Sequence, residues 1–443
     1  MTKKNAMTNA FQPGVADLSP REEDLIARRD KSLGPAYKLF YEQPVEFVRG
    51  EGTWLYDSED NAYLDTYNNV PSVGHCHPHV VAAICKQVGL LNTHTRYMHE
   101  NVIEYAELLL SKFPEELSHV MFTCTGSEAN DLAYRICTEH TGGTGFIVTD
   151  LAYHGGTDVI AALSPSLGEA VNLGEHVRTI PAPDAYRGDP DAGKHFIDNL
   201  KAAIKDMQRH GIKPAALLVD TIFSSDGVFS SHPGFLKEAA DVIRAAGGLF
   251  IADEVQPGFG RTGAAWFGFQ RHDVVPDMVS IGKGMGGGHP IAGLVIKPEL
   301  VQELGKSRYF NTFGGNPVST AAAKAVMEVI ENENMIENAK TVGNYLLAGL
   351  TTLAEKYPLI GDIRGLGLFI GIELVNDRET KVPATQKCAL VVNGLRQKRV
   401  LISSAGPNAN ILKVRPPMCF NQDNADLFLK TLAEVLTEIS ADE

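Results

Sequence analysis

Met278-Val-Ser-Ile-Gly-Lys283-Gly-Met-Gly-Gly-Gly-His-Pro290 is a short apolar run that stops at a lysine set between glycines. The run from Met278 to Ile281 reads as a buried strand, and the flanking glycines permit turns and close approaches that a Cβ would forbid. An amine held at a strand end can condense with a carbonyl, the nucleophilic use of lysine. Most lysines are solvated surface cations, so this motif does not decide its own meaning. What decides is whether other strands of the same kind end in groups that converge on it.

Such strands recur from Ser118 onward. Apolar runs at 120–122, 146–149, 177–180, 215–220, 249–252 and 292–296 alternate with helical patterns. In the helix after Ser127, Ala129, Leu132, Ala133, Ile136 and Cys137 form one apolar face. Further helices are expected at 196–210 and 235–246. Strands apolar throughout and alternating with helices mark an α/β fold with a mostly parallel sheet covered on both faces. Ligands in such sheets lie beyond the carboxyl ends of the strands. Gly126-Ser127, Asp220, Asp253 and Lys283 all fall at such ends.

The remaining segments complete the large domain and add a smaller α+β lobe drawn from both termini. Residues 1–20 are expected as a polar arm, 21–31 as a helix and 46–64 as a hairpin, followed by a loop at 68–78 and helices at 79–91 and 100–112. Beyond Thr312-Phe-Gly-Gly-Asn-Pro317, long helices at 319–331 and 336–357 lead to an apolar run at 363–372. A helix at 386–397, strands at 400–403 and 411–414 and a final helix at 423–439 complete the chain. The expected division is an arm and small-lobe segment at 1–65, a large domain at 66–330 and a small domain at 331–443.

Composition narrows the classes of function. The 443 residues are too many for one simple core. A formal charge of −14 argues against nucleic acid or an anionic membrane as the main partner. No apolar run is long enough for a membrane span, and Met1 to Asp17 carries no secretory h-region. The 6 cysteines lack C-x-x-C spacing, which fits reduced thiols and a cytoplasmic location.

Each candidate site residue has a bland reading beside the chemical one. Asp253, closing an apolar strand, is costly to bury without a cationic partner, and a pyridinium nitrogen would be one; a structural ion pair is the alternative. Gly126-Ser127, where strand turns to helix, is a ready anion site in an acidic protein or an ordinary N-cap. Tyr153 could stack on a planar ring or sit in the core. His75-x-His77 lacks a third ligand at helical spacing, so a packed loop capping the next helix is expected and no metal. Gly365-x-Gly367-x-x-x-Gly371 lacks the strand and helix a dinucleotide fingerprint requires.

Taken together, Thr125-Gly-Ser-Glu-Ala-Asn130, Tyr153-His-Gly155, Ala252-Asp-Glu-Val-Gln-Pro-Gly-Phe-Gly-Arg-Thr-Gly263, Gly282-Lys283 and Thr312-Phe-Gly-Gly-Asn-Pro317 resemble the class III aminotransferases, a family of fold-type I pyridoxal-phosphate enzymes. The resemblance runs from about residue 30 to the C-terminus. It implies a seven-stranded sheet in the large domain and pyridoxal 5'-phosphate as cofactor. By the same resemblance Lys283 forms the Schiff base and Asp253 pairs with the pyridinium. Val255 packs under the ring, Gln256 reaches the ring hydroxyl and Tyr153 stacks on it. Gly126 and Ser127 hold the phosphate, joined by Thr312 of a second subunit, which implies a homodimer with a shared active site.

Further stretches are similar to the ethanolamine-phosphate and phosphohydroxylysine phospho-lyases. They are Asn68-Asn69, Val73-Gly-His-Cys-His-Pro78, Leu91-Asn-Thr93, Ile360 to Gly371, Lys398-Arg-Val-Leu401 and Arg415-Pro-Pro-Met-Cys-Phe420. This likeness implies an elimination: Lys283 takes a proton from the amine-bearing carbon, phosphate leaves the adjacent carbon, and hydrolysis yields acetaldehyde and ammonia. Asn69, Arg96, Lys413 and Arg415 are the candidate substrate contacts. Dicarboxylate aminotransferases of the family usually carry arginine where Lys413 stands, and lysine lacks the planar fork a carboxylate prefers. The family's Glu-Pro at the end of the 215–220 strand is here Asp220-Thr221. The alternative activity is an aminotransferase acting on a simple ω-amine and a keto acid.

Overall fold

The computed structural model describes residues 9–441 apart from 189, 306 and 307; the first eight residues of the expected arm lie outside that range. The chain opens with the helix Pro20–Leu33, started by a capping box between Ser19 and Glu22. Three short strands follow, β1 (Phe47–Glu51), β2 (Trp54–Asp57) and β3 (Ala62–Asp65), paired antiparallel in sequence order. The helices Pro78–Val88 and Glu100–Leu110 lead into the large sheet.

That sheet contains β4 (His119–Thr123), β5 (Gly145–Thr149), β6 (Val177–Ile180), β7 (Pro214–Asp220), β8 (Leu249–Asp253), β9 (Met278–Ile281) and β10 (Ala292–Ile296). Its order is β4-β10-β9-β8-β7-β5-β6. The strands from β9 to β6 pair parallel, whereas β10 runs antiparallel to both neighbours. Strands β5 and β8 to β10 are buried at every position, so both faces of the sheet are covered. Because β4 runs with the parallel set, the ends of β4, β5, β7, β8 and β9 open on one edge. The loops carrying Gly126-Ser127, Tyr153, Asp220, Asp253 and Lys283 therefore share that edge.

The C-terminal part supplies β11 (Ile360–Leu366), β12 (Phe369–Leu374), β13 (Val400–Leu401), β14 (Ser403–Ala405) and β15 (Ile411–Val414). The expected single strand at 400–403 is in fact two. Val400 and Leu401 add parallel to Leu64 and Asp65 of β3, while Ser403–Ala405 pairs with β15 in a second sheet. Ile402 lies between them, its carbonyl accepting from the Tyr41 hydroxyl at 3.0 Å. The glycine run at 365–371 is a hairpin: β11 folds back on β12 through Gly367, at φ +55°. At Gly365 (φ +153°) a Cβ would fall 2.4 Å from the Phe369 carbonyl, so these glycines serve backbone packing.

His75 and His77 also have local explanations. His75 Nε2 lies 2.8 Å from Asp65, His77 Nε2 lies 2.9 Å from Glu333, and the His77 side chain accepts from the His79 N–H at the next helix. No helix among the described residues is long and apolar enough to cross a membrane.

Candidate active site

Beyond the strand ends lies a cavity of about 180 Å³ lined by Gly126, Ser127, Tyr153, His154, Gly155, Asp220, Asp253, Val255, Gln256 and Lys283. Lys283 enters it from a single turn of 3₁₀ helix, Lys283–Gly286, directly after β9. The left-handed conformation sits on the lysine itself, at φ +43°. A Cβ at Gly282 would meet only ordinary contacts, the nearest at 3.4 Å, so that glycine is not forced by space. Burial and the nearby Arg415 guanidinium push the Lys283 ammonium down to about 8, against the pull of Asp253 and Asp220.

Asp253 ends β8, buried to 4% exposure. Burial alone would raise its pKa, but its partners outweigh that and hold it below the usual carboxylate range. His154 Nδ1 lies 2.7 Å from Oδ2, Asn130 Nδ2 donates to the same oxygen at 3.0 Å, and the Val255 N–H donates to Oδ1 at 3.1 Å. His154 and Asn130 stand within the motifs recognised in the sequence, yet this pairing has no sequence signature. Val255 packs against Gly126, where a Cβ would fall 2.9 Å from Val255 Cγ2.

The helix Gly126–Thr141 opens with a capping box formed by Thr125 and Glu128. Ser127 Oγ accepts from the Gly156 N–H at 3.1 Å. Gly155, at φ +148°, runs so close to Ser127 that a Cβ would lie 2.6 Å from its Oγ. A helix start backed by glycines against the lysine pocket is built for a bound phosphate. Tyr153 borders the same cavity and is 40% exposed.

A second cluster adjoins the first. Gln256 Oε1 accepts from Arg415 at 2.6 Å and from Lys413 at 3.5 Å. That leaves the Gln256 Nε2 N–H groups without a partner among the described residues. Arg415 also donates to Asn69 Oδ1 at 3.2 Å and lies 4.3 Å from the centre of the Tyr67 ring. Lys413 and Arg415 are only 5% and 9% exposed, yet neither makes an ion pair among the described residues. Burial first, and Arg415 second, drive the Lys413 ammonium well below its ordinary range.

Not every expected contact lies here. Arg96 sits over the Phe310 ring, 3.7 Å from its centre, in a separate cleft of about 500 Å³. Thr312 is exposed and does not line the lysine cavity.

A parallel sheet whose strand ends present a lysine, a buried carboxylate and a glycine-backed helix start defines a fold-type I pyridoxal-phosphate enzyme. The buried Asp253 suits a pyridinium nitrogen, the Gly126–Ser127–Gly155 cradle suits a phosphate, and Lys283 suits an aldehyde, so the residues present fit the group.

Comparison with known proteins agrees. Residues 40–436 match the family described as aminotransferase class-III. The chain is 41% identical to an "Alanine--glyoxylate aminotransferase 2-like" protein of Drosophila melanogaster, over 96% of this chain and 89% of that one. It is 37% identical to "Ethanolamine-phosphate phospho-lyase homolog 1" of Caenorhabditis elegans, over 94% of each. Among solved structures, a phospholyase from Arthrobacter in complex with phosphoethanolamine superposes with a TM-score of 0.91. Its identity is 42%, covering 94% of this chain and 99% of that one. The protein belongs to the class III aminotransferase family, and its cofactor is pyridoxal 5'-phosphate.

Proposed function

We propose that this enzyme is a carbon–oxygen lyase that eliminates phosphate from ethanolamine phosphate and, with one water consumed in hydrolysis, gives acetaldehyde, ammonia and inorganic phosphate. The observation that carries the reading is the pair Lys413 and Arg415, two buried basic side chains near the lysine cavity with no ion-pair partner among the described residues. A buried guanidinium left unmatched is costly and joins burial in holding the Lys413 ammonium well below its ordinary range, so an anion from the substrate is the natural counterpart of Arg415 and would favour the charged form of Lys413. A phosphate group would satisfy both, and Arg415 Nε is a further buried donor without an acceptor.

When bound, pyridoxal phosphate supplies an electron sink for the charge left on the amine-bearing carbon as its proton departs. The chain's own groups then divide the work. Lys283 holds the cofactor and, with its lowered pKa, takes that carbon's proton near neutral pH. Asp253, held low by His154, Lys283 and the Val255 N–H, would meet the ring nitrogen, Val255 and Tyr153 would hold the ring, and the Gln256 amide would donate to the ring hydroxyl. Gly126 and Ser127 would hold the cofactor phosphate. Arg415 and Lys413 hold the substrate phosphate and receive the growing charge as it leaves, with Asn69 orienting Arg415. The likeness to the Arthrobacter and C. elegans proteins supports the same reading.

A second reading is transfer of the amino group of an ω-amine to a keto acid; the name of the D. melanogaster relative supports aminotransfer without supporting that class of amine. One assay separates them. With no keto acid present, the lyase releases phosphate and ammonia over many turnovers. A transaminase stops after one half-reaction, and that result would discard the elimination. We also infer a homodimer in which Thr312 serves the partner's cofactor, since Thr312 is exposed and outside its own cavity. Sedimentation of a monomer with full activity would refute it.

A further inference from the structure

The segment from Asp65 to Asn69 forms the seat of Arg415. The Thr66 carbonyl accepts from the Arg415 backbone N–H at 2.8 Å, the Tyr67 ring centre lies 4.3 Å from the guanidinium, and Asn69 Oδ1 accepts from Nη1 at 3.2 Å. One side chain sets the course of this segment. Asp65 ends β3 and is buried; its Oδ1 accepts from the Tyr67 N–H at 3.0 Å and from the Asn68 N–H at 2.9 Å, an Asx-type turn. Its other oxygen, Oδ2, lies 2.8 Å from His75 Nε2. His75 is fixed in turn by its backbone, which exchanges hydrogen bonds with Gly52 at 2.8 and 3.1 Å. It also packs on Gly50 of β1, where a Cβ would fall 2.9 Å from the His75 Cβ. A histidine seated on the β1–β2 hairpin therefore holds the acid whose turn seats Arg415. Neither Asp65 nor His75 lines the lysine cavity.

We infer that Asp65, held by His75, is a positioning residue for the phosphate of the substrate, ordering Arg415 through the Tyr67 ring and the Asn69 amide. This role deepens the lyase reading and rests on it, since it takes Arg415 as the phosphate contact. An arginine side chain has many rotamers, and it binds an anion more tightly when its ordering is complete before the anion arrives. Here two restraints reach the guanidinium from one short turn, while Nε stays a buried donor without a partner among the described residues. The turn needs an acceptor of the right reach at 65. Asn keeps that acceptor, whereas Ala leaves the Tyr67 and Asn68 N–H groups unpaired and lets the seat open.

The test uses cofactor-loaded enzyme. Inorganic phosphate is titrated by calorimetry into wild type, Asp65→Ala, Asp65→Asn and His75→Leu, and KM and kcat for ethanolamine phosphate are measured separately. Asp65→Ala is expected to bind phosphate about tenfold or more weakly and to raise KM alike, with kcat changed less than about threefold. Asp65→Asn should recover at least about threefold of that loss, and His75→Leu should lose about three- to tenfold. Coupling to Arg415 is read from kcat/KM in Arg415→Met, alone and combined with each change. Once Arg415 is gone, the second change is expected to cost less than about twofold, because it acts through that residue. A general loosening of the fold would cost the same in both backgrounds, so equal costs overturn the inference. Where Asp65→Ala fails to fold, His75→Leu carries the same comparison, and unchanged phosphate affinity in the folded variant overturns the inference. Absence of phosphate binding by the wild-type enzyme overturns it too. Calorimetry needs no turnover, so a wild type that binds phosphate but releases none from substrate would sink the lyase reading alone.

Discussion

His154 Nδ1 and Asp253 Oδ2 lie 2.7 Å apart at the floor of the lysine cavity, both side chains nearly sealed from water. Without such partners, a carboxylate at this depth would take up a proton and lose its value to a ring nitrogen. Replacing His154 with Phe removes a charge-assisted hydrogen bond worth about 1.5–3 kcal/mol. The expected loss is about 10- to 100-fold in kcat with KM little changed, and His154→Gln, which keeps a donor, should recover part of it. Asp253→Asn should cost about 10²–10³-fold, the scale for one preorganised charge. Steady-state kinetics with saturating cofactor measures all three.

Lys283 gives the reaction a pH dependence with a definite sign. Its ammonium is pushed down to about 8, so in cofactor-free protein the free amine gains about tenfold per pH unit below that value and then levels. The rate of cofactor capture, followed by absorbance, should show that profile. Arg415 is the second cause of the depression after burial, so Arg415→Met should move the bend to higher pH. An unshifted bend would mean that burial alone sets it.

The cradle around Ser127 should be intolerant of a single methyl group. In Gly155→Ala the added carbon would crowd Ser127 Oγ, Cα and Cβ within 2.6–2.8 Å, at a φ that L-residues rarely adopt. The expected outcome is cofactor affinity at least about tenfold weaker in equilibrium dialysis, with the far-ultraviolet circular dichroism unchanged.

Glu373, 1% exposed on β12, is paired with Arg187 and with Arg364, the latter at 2.8 Å. Glu373→Ala takes the counter-charge from Arg187 and one of two from Arg364, which keeps Asp362 at 2.6 Å, and breaking a buried pair costs up to about 3–5 kcal/mol. A clearly lower denaturation midpoint is expected, with the cofactor spectrum preserved below it.

Much of this was legible in the residues because strands buried on both faces must be apolar throughout. That constraint marks their ends, and Asp253 and Lys283 are conspicuous there as charges closing apolar runs. The contacts that set their chemistry obey no local period. His154 meets Asp253 across 99 positions and Arg415 meets Gln256 across 159, through loops whose course depends on strand order. The reversed direction of β10 was equally hidden, since a buried strand has the same composition whichever way it runs. At Ile402 one apolar stretch feeds two sheets, and nothing in its hydrophobicity marks the break. Asp220 is the instructive middle case: its departure from the family's glutamate was visible, while its hydrogen bond from the Ser224 N–H needed the loop's path.

The smallest sheet has the widest reach. Strand β13 docks beside β3 although the hydrogen-bonded partners Leu64 and Arg399 are over three hundred positions apart in the chain. Residues 47–65 therefore stay without their fourth strand until Val400 and Leu401 have left the ribosome. Lys413 and Arg415 emerge only after that strand. A chain clipped before β13 would thus own the reactive amine yet lack the basic pair that meets Gln256, so assembly of the amino-terminal sheet and of the Gln256–Lys413–Arg415 cluster are coupled to one late event.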